Sequence, residues 1–272
     1  MTTGKSVTLW IAAFVFMAAI AIYQRMTGPT YPIGGEVKVS GKTIDYSFPR
    51  SHAGSGEQLI KVEAPENFEG KMKLRRYKSY DKWQTVDMKR VGDVLTADIP
   101  EQPPAGKVMY QVFIGPDESS MERLTKEPVI IRFKGAVPDF ILIPHIIFMF
   151  TAMVFSTRTI LEVIFKGKNV YMMSLITTIC FGIGGLFLGP VVQNYAFGAF
   201  WTGWPFGEDL TDNKTLFAFL GWLWATLRIK TKPEAKGWAI FAGLLLLAVY
   251  LIPHSVLGSE INYKELEKQQ VN

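Results

Sequence analysis

Residues 195–215 read YAFGAFWTGWPFGEDLTDNKT, a stretch of six aromatic residues, three carboxylates (Glu208, Asp209, Asp212) and one cation (Lys214) between two apolar runs. Its acidic balance sets the topology. The other short connections in this half of the chain are basic: Lys166 and Lys168 in one, Arg228, Lys230, Lys232 and Lys236 in another. The bias of lysine and arginine toward the cytoplasmic side places both basic connections inside and the 195–215 loop outside.

The apolar spans follow from this frame. Pro144–Phe165, with a possible earlier start at Pro138, reads as the second helix and Val170–Val192 as the third. Leu216–Leu227 with its flanks is the fourth and Trp238–Ile252 the fifth. The last two are short for a hydrocarbon core of about 30 Å and need flanking residues or a thinner bilayer. The first span, Val7–Tyr23, is free of charge between Lys5 and Arg25. It is long for a signal-peptide core and no small-x-small cleavage site follows, so it reads as an uncleaved anchor.

Between the first two spans the character changes. Residues 26–138 hold most of the charge, and short runs of alternating or β-branched residues recur about every ten positions. These are Glu36–Val39, Thr43–Phe48, Leu59–Glu63, Met72–Tyr77, Gln84–Lys89, Val94–Ile99, Val108–Ile114 and Val129–Phe133. Turn signals separate them, among them Ser40-Gly41, Gly92-Asp93 and Pro103-Pro104-Ala105-Gly106. In Lys71–Arg76 the alternation puts Lys71, Lys73 and Arg75 on one face and Met72 and Leu74 on the other. The expected fold is an α-helical membrane protein of about five transmembrane helices with an inserted extracytoplasmic all-β, immunoglobulin-like sandwich. Its parts are an anchor (1–25), the β-domain (26–138), a four-helix membrane domain (139–256) with the outer loop 195–215, and an extracytoplasmic tail (257–272). The setting that fits is the cytoplasmic membrane of a bacterium, N-terminus inside, β-domain and C-terminus outside. The lone Cys180 excludes a disulfide framework, and a formal charge of +5 is modest enough that nucleic acid is not implied.

Several residues are candidates for chemistry. Leu142-Ile143-Pro144-His145 opens the second span and Leu251-Ile252-Pro253-His254 closes the fifth, so both histidines fall near the outer face. Neutral imidazoles there could bind a metal or haem or donate a hydrogen bond to a quinone oxygen, although a bis-histidine haem normally wants its ligands deeper in the hydrocarbon. The run Glu208-Asp209-Leu210-Thr211-Asp212-Asn213-Lys214 begins like a calcium loop, but Lys214 and Leu220 occupy positions that such a loop gives to glycine and glutamate. Thr211, Asp212 or Asn213 can cap the fourth helix instead. With Trp201 and Trp204 as walls, Glu208, Asp209, Asp212, Asn213 and Lys214 form the candidate ligand cluster. The tryptophans also suit an outer aromatic belt, with Trp224 and Trp238 in the inner one.

Other features have plainer readings. Ser174, Thr178, Gly182, Gly185 and Gly189 form a small-residue face for close helix approach. Arg158 and Glu162, four apart, pair near the cytoplasmic interface, where snorkelling accounts for the arginine. The stretch Lys71–Arg90 carries eight basic residues, suited to a solvated sheet face or to contact with anionic lipid or an acidic partner. His52 is isolated, and no nucleophile–base pair, phosphate loop, CxxC or HExxH occurs. The expected function is that of a membrane accessory, assembly or scaffold protein, in contact with the lipid bilayer and with a membrane or periplasmic protein. The alternative is a metal- or haem-dependent redox protein built on His145, His254 and the 208–212 loop. A transporter fits less well, with no inverted repeat and no charge expected at mid-membrane.

Overall fold

The computed structural model describes residues 2–253 and 260–271. The chain divides into two compact units: Met1–Pro29 with Val137–Gly258, and Thr30–Ala136 with Ser259–Asn272.

The first unit is helical. Helix α1 spans Thr3–Thr27, α2 Asp139–Ile164 and α3 Val170–Phe181; a π-helical segment, Gly182–Leu188, joins α3 without a break to α4, Gly189–Phe197. Helix α5 spans Leu210–Thr231 and α6 Gly237–Leu251. Among the described residues, α1, α2 and the continuous α3–α4 run are each long and apolar enough to cross a membrane. The surface agrees with that setting. Ile11, Phe14, Ile147, Phe187, Phe241 and Leu244 are all exposed, which in water would make an aggregating surface but in lipid makes a matched one.

Helix α2 takes the earlier of the two starts read from the sequence: Pro138 is its N-cap and Asp139 its first residue, with Pro144 inside the second turn, where an imino acid removes only one early hydrogen bond. Two other boundaries differ from the sequence reading. Helix α4 continues past Val192 to Phe197, so Tyr195 and Phe197 are helical; the chain leaves the helix at Gly198, whose left-handed φ of 80° closes it. Helix α5 starts six residues before Leu216, because Asp209 and not Thr211, Asp212 or Asn213 is the N-cap, accepting from Thr211 N–H. The loop is therefore residues 198–209.

Inside the bundle the polarity is inverted. Arg158 and Glu162 on α2 are both fully buried, with Nη1 to Oε2 at 2.6 Å. Snorkelling is thereby corrected: the guanidinium stays in the interior, where Trp10 of α1 lies against it with 5.4 Å from Cζ to the ring centre and Ser6 accepts from Nη2 at 3.4 Å. The other oxygen of Glu162 accepts from Asn169 N–H at 3.1 Å, at the start of α3. Gly167 lies so close to this carboxylate that any Cβ there would overlap it. One ion pair thus ties α1, α2 and the α2–α3 turn.

The small-residue face packs on α5 as far as Gly185, inside the π-helical segment. Thr178 bonds Thr226 Oγ1 at 2.8 Å, and added Cβ atoms on Gly182 and Gly185 would meet Phe219 and Thr215, all on α5. Within the same segment Gly184 faces the other way, against Phe148 and Met149 of α2, and beyond the segment Gly189 approaches His145 instead of α5.

The second unit is β-rich. Its strands are β1 Ile33–Val39, β2 Lys42–Phe48, β3 Ser51–Ala53, β4 Gln58–Glu63, β5 Glu69–Arg76, β6 Gln84–Asp87, β7 Lys89–Val91, β8 Val94–Ile99, β9 Lys107–Gly115, β10 Glu122–Arg123 and β11 Val129–Lys134. They form a β1–β2 hairpin, a sheet ordered β3-β11-β9-β5-β6 with β10 on β9, and a sheet ordered β4-β8-β7. In the hairpin Val39 pairs with Lys42 across Ser40-Gly41, both at positive φ, the geometry of a two-residue primed turn. All three sheets share one core, in which Phe48, Ile60, Met72, Tyr110 and Phe133 are fully buried. The run expected at Gln84–Lys89 splits at Met88 into β6 and β7, which belong to different sheets. Residues 260–271 belong to this unit, and α7, Tyr263–Val271, forms within them.

Replacing Glu162 by leucine strands a buried guanidinium, so Glu162→Leu should lower stability by about 3–5 kcal/mol. The double variant Arg158→Leu/Glu162→Leu should lose less than either single one. Thermal unfolding in detergent checks both; equal losses in all three would show that the pair is not coupled.

Candidate functional site

The 198–209 loop is held from below by the first turn of α5. Asp212, 5 % exposed, directs one carboxylate oxygen, Oδ2, at Thr202 N–H (2.6 Å), Gly203 N–H (2.9 Å), Thr202 Oγ1 (3.3 Å) and Gln193 Nε2 (3.1 Å). Asn213 Oδ1 accepts from Trp204 N–H at 2.6 Å, and Trp201 Nε1 donates to Trp204 O at 3.0 Å. Gly203 is required, since a Cβ there would meet Asp212 Cβ at 2.6 Å. Lys214, 6 % exposed, donates to Ile252 O just beyond the end of α6, where a cation complements the helix dipole.

The expected ligand cluster is thereby redistributed. Asp209 caps α5, Asp212 and Asn213 order the loop backbone, Lys214 closes α6, and Glu208 points outward. Among the described residues no three histidine, cysteine or acidic side chains are grouped to hold a metal ion. Trp201 is half-buried, whereas Phe200, Trp204 and Phe206 are exposed. Gln193 and Thr202 complete the loop's hydrogen bonding, and nothing in their sequence neighbourhood marks them.

The two histidines of the Ile-Pro-His echo stand differently. His254 lies outside the described residues. His145 is half-buried on α2, with Nδ1 2.9 Å from Gly184 O in the π-helical segment. A carbonyl only accepts, so Nδ1 carries the proton and Nε2 keeps its lone pair. His52 has a structural place: Nδ1 meets Gln58 Oε1 at 2.9 Å and the ring lies against Phe133.

In the basic stretch Lys71–Arg90, Lys73, Lys82 and Lys89 are exposed while others have partners within the unit. Lys71 pairs with Glu118 at 2.5 Å, and Arg90 donates to the carbonyls of Ala64, Pro65 and Phe68. Others reach the far end of the chain. Arg76 makes a two-point contact with Asp81 (2.7 and 2.8 Å) and donates to Glu267 at 2.6 Å; Lys78 and Lys107 both hold Glu260. Tyr263, buried, donates to Gln102 Oε1 at 3.0 Å and lies against the Arg76 guanidinium. Backbone bonds run from Ile261 N–H to Ala105 O and from Lys264 N–H to Lys78 O.

The electrostatics follow from these pairings. Hydrogen bonds from Arg76 hold the Asp81 carboxyl below its ordinary range. Burial pushes Glu260 up, but hydrogen bonds from Lys107 and Lys78 outweigh it and the net shift is downward. Carboxylates lowered in the folded state stabilise above their unfolded values, so these contacts weaken as pH falls below about 4. The sequence signal for the tail contact was the unbalanced run of cations, which needed acids from elsewhere.

No family model, curated protein or solved structure matches the chain.

Asp212→Ala removes the acceptor of two buried backbone N–H groups, at a cost of about 1–3 kcal/mol. It should make residues 198–209 the first site of limited proteolysis, while Glu208→Ala leaves the digestion pattern unchanged. An unaltered pattern for Asp212→Ala would show that the carboxylate does not hold the loop.

Proposed function

We propose that this is an integral membrane accessory, assembly or scaffold protein whose β-unit meets a protein partner outside the cytoplasmic membrane of a bacterium. The observation that carries the reading is the surface of the β-unit, which already holds a polypeptide segment, residues 260–271, by matched charge and backbone bonds. The contacts of Asp209, Asp212, Asn213 and Lys214 with backbone groups support a structural part for these four residues.

The topology belongs to the same proposal. The β-unit follows α1, and the chain returns to it after α6, so an even number of crossings lies between. Helix α2 and the α3–α4 run supply two of them; α5 and α6 then cross together or not at all. At 1.5 Å per residue the 22 residues of α5 cover about 33 Å, enough to cross, and the 15 of α6 about 22 Å, which needs flanking residues or a thinner bilayer; with the even count, five crossings in all is the proposed number. Basic residues between α2 and α3 and between α5 and α6 support an N-terminus inside. The shared core of mostly antiparallel sheets supports an immunoglobulin-like sandwich.

A second reading, a haem or metal protein, draws on His145. Its Nδ1–H is engaged by a carbonyl, an arrangement that orients a ligating histidine through Nε2. A Soret band or stoichiometric metal in the purified protein, lost in His145→Ala, would favour it.

The partner reading is tested by photocrosslinking in living cells from exposed positions of the β-unit. The expected result is one discrete adduct that co-purifies from detergent. Absence of any adduct, with the protein migrating alone, would contradict it.

A further inference from the structure

Two cations of the basic stretch, Arg76 and Lys78, together with Lys107 on β9, engage the C-terminal segment. We propose that the β-unit carries a docking groove for an acidic, tyrosine-bearing segment of a partner protein, and that residues 260–268 occupy it as a displaceable placeholder. This deepens the partner-binding reading and rests on it.

The tail itself displays the chemistry that the groove accepts. A carboxylate at Glu260 lies between Lys78 and Lys107, a ring at Tyr263 lies between Arg76 and Gln102, and a second carboxylate at Glu267 meets Arg76. The ring fits closely, since a Cβ on Gly106 would meet Tyr263 Oη at 2.6 Å. Acid, aromatic and acid are read over eight residues of extended and helical chain.

The hold is weak enough to exchange. Apart from Tyr263 the described side chains of the segment are at least partly exposed, and Leu266 is 47 % exposed. The ion-pairing side chains keep between 14 % and 45 % of their own surface in water, and pairs of that kind contribute about 0–1 kcal/mol each. What favours the tail is its covalent attachment, which gives it a high effective concentration.

The groove is also larger than its occupant. A cavity of about 180 Å³ adjoins the Tyr263 contact, lined by Leu74, Arg76, Asp81, Gln84, Pro100 and Val108 among others, with none of the described tail residues in its lining. A partner segment that reproduces the acids and the ring and adds an apolar side chain for this cavity makes contacts that the tail does not. Such a segment displaces the tail despite the tether.

The test uses the full chain in lipid nanodiscs against a chain ending at residue 259, with a fluorescent peptide of residues 260–272 as probe. The truncated chain should bind the peptide with a micromolar Kd, and the intact chain at least tenfold more weakly because its own tail competes. Lys78→Glu/Lys107→Glu in the truncated chain should weaken binding at least tenfold, and 0.5 M salt at least fivefold. If truncation prevents folding, Glu260→Lys/Glu267→Lys in the full chain loosens the tail and serves in its place. No binding to the opened groove, equal binding to intact and opened chains, or indifference to the charge reversal would each overturn the proposal.

Crosslinkers in cells at Gln84, beside the cavity, and at Lys61, on β4, separate this from the broader reading. A partner captured at Gln84, and more strongly once the tail is loosened, supports the groove. Capture at Lys61 alone overturns the groove and leaves a partner. No capture at either site counts against the partner reading, while the peptide result still decides whether the groove exists.

Discussion

A charge in a lipid-embedded bundle must be neutralised where it lies, and the Arg158–Glu162 pair is where this chain meets that constraint. Both side chains are fully buried, and each has a second task. Arg158 lies against Trp10 and reaches Ser6, which fixes α1 beside α2; Glu162 accepts from Asn169 and fixes where α3 begins. Neither charge can leave without stranding the other in a medium where isolated ions are very costly. The packing of the remaining helices builds on this junction. Thr178, Gly182 and Gly185 then present a face without bulk on which α5 settles.

The opposite end of the bundle solves a related problem. Irregular backbone near a membrane boundary needs partners for its N–H groups, and one carboxylate at Asp212 supplies them to Thr202 and Gly203. Asn213 does the same for Trp204, and Lys214 takes a carbonyl just past α6. In the run of acids, amide and amine, Asp209, Asp212, Asn213 and Lys214 each bond a backbone group. Fixing the loop also fixes Phe200, Trp204 and Phe206, which remain exposed on it.

Much of this was legible from the sequence because the signals were local. Alternation at Lys71–Arg76 located β5, Ser40-Gly41 located the hairpin turn, and long uncharged runs located α1 and α2. Other features were hidden for physical reasons. Strands β3, β7 and β10 span only two or three residues and have no period to read. The N-terminus of α5 was obscured because Asp212, Asn213 and Lys214 look like loop residues until their long-range partners are known. In the π-helical segment Gly182 and Gly185 lie against α5 and Gly184 against α2, contacts that no window of sequence contains. The docking of Glu260, Tyr263 and Glu267 joins positions more than 150 residues apart, and only the excess of cations in Lys71–Arg90 pointed to it.

The tail links the two halves of the account. Residues 260–271 belong to the β-unit, so under the proposed topology the chain returns after α6 to the side on which it emerged after α1. The proposal of a β-unit that binds outside, carried by five crossings, depends on that return. Single-cysteine labelling in intact cells tests it most directly, in a chain with Cys180 replaced and one cysteine introduced at Ser119, Phe206, Lys232 or Lys268. The account predicts that Ser119, Phe206 and Lys268 react with a membrane-impermeant reagent from outside, and Lys232 only after the membrane is opened. Labelling of Lys232 and Lys268 from the same side would contradict it.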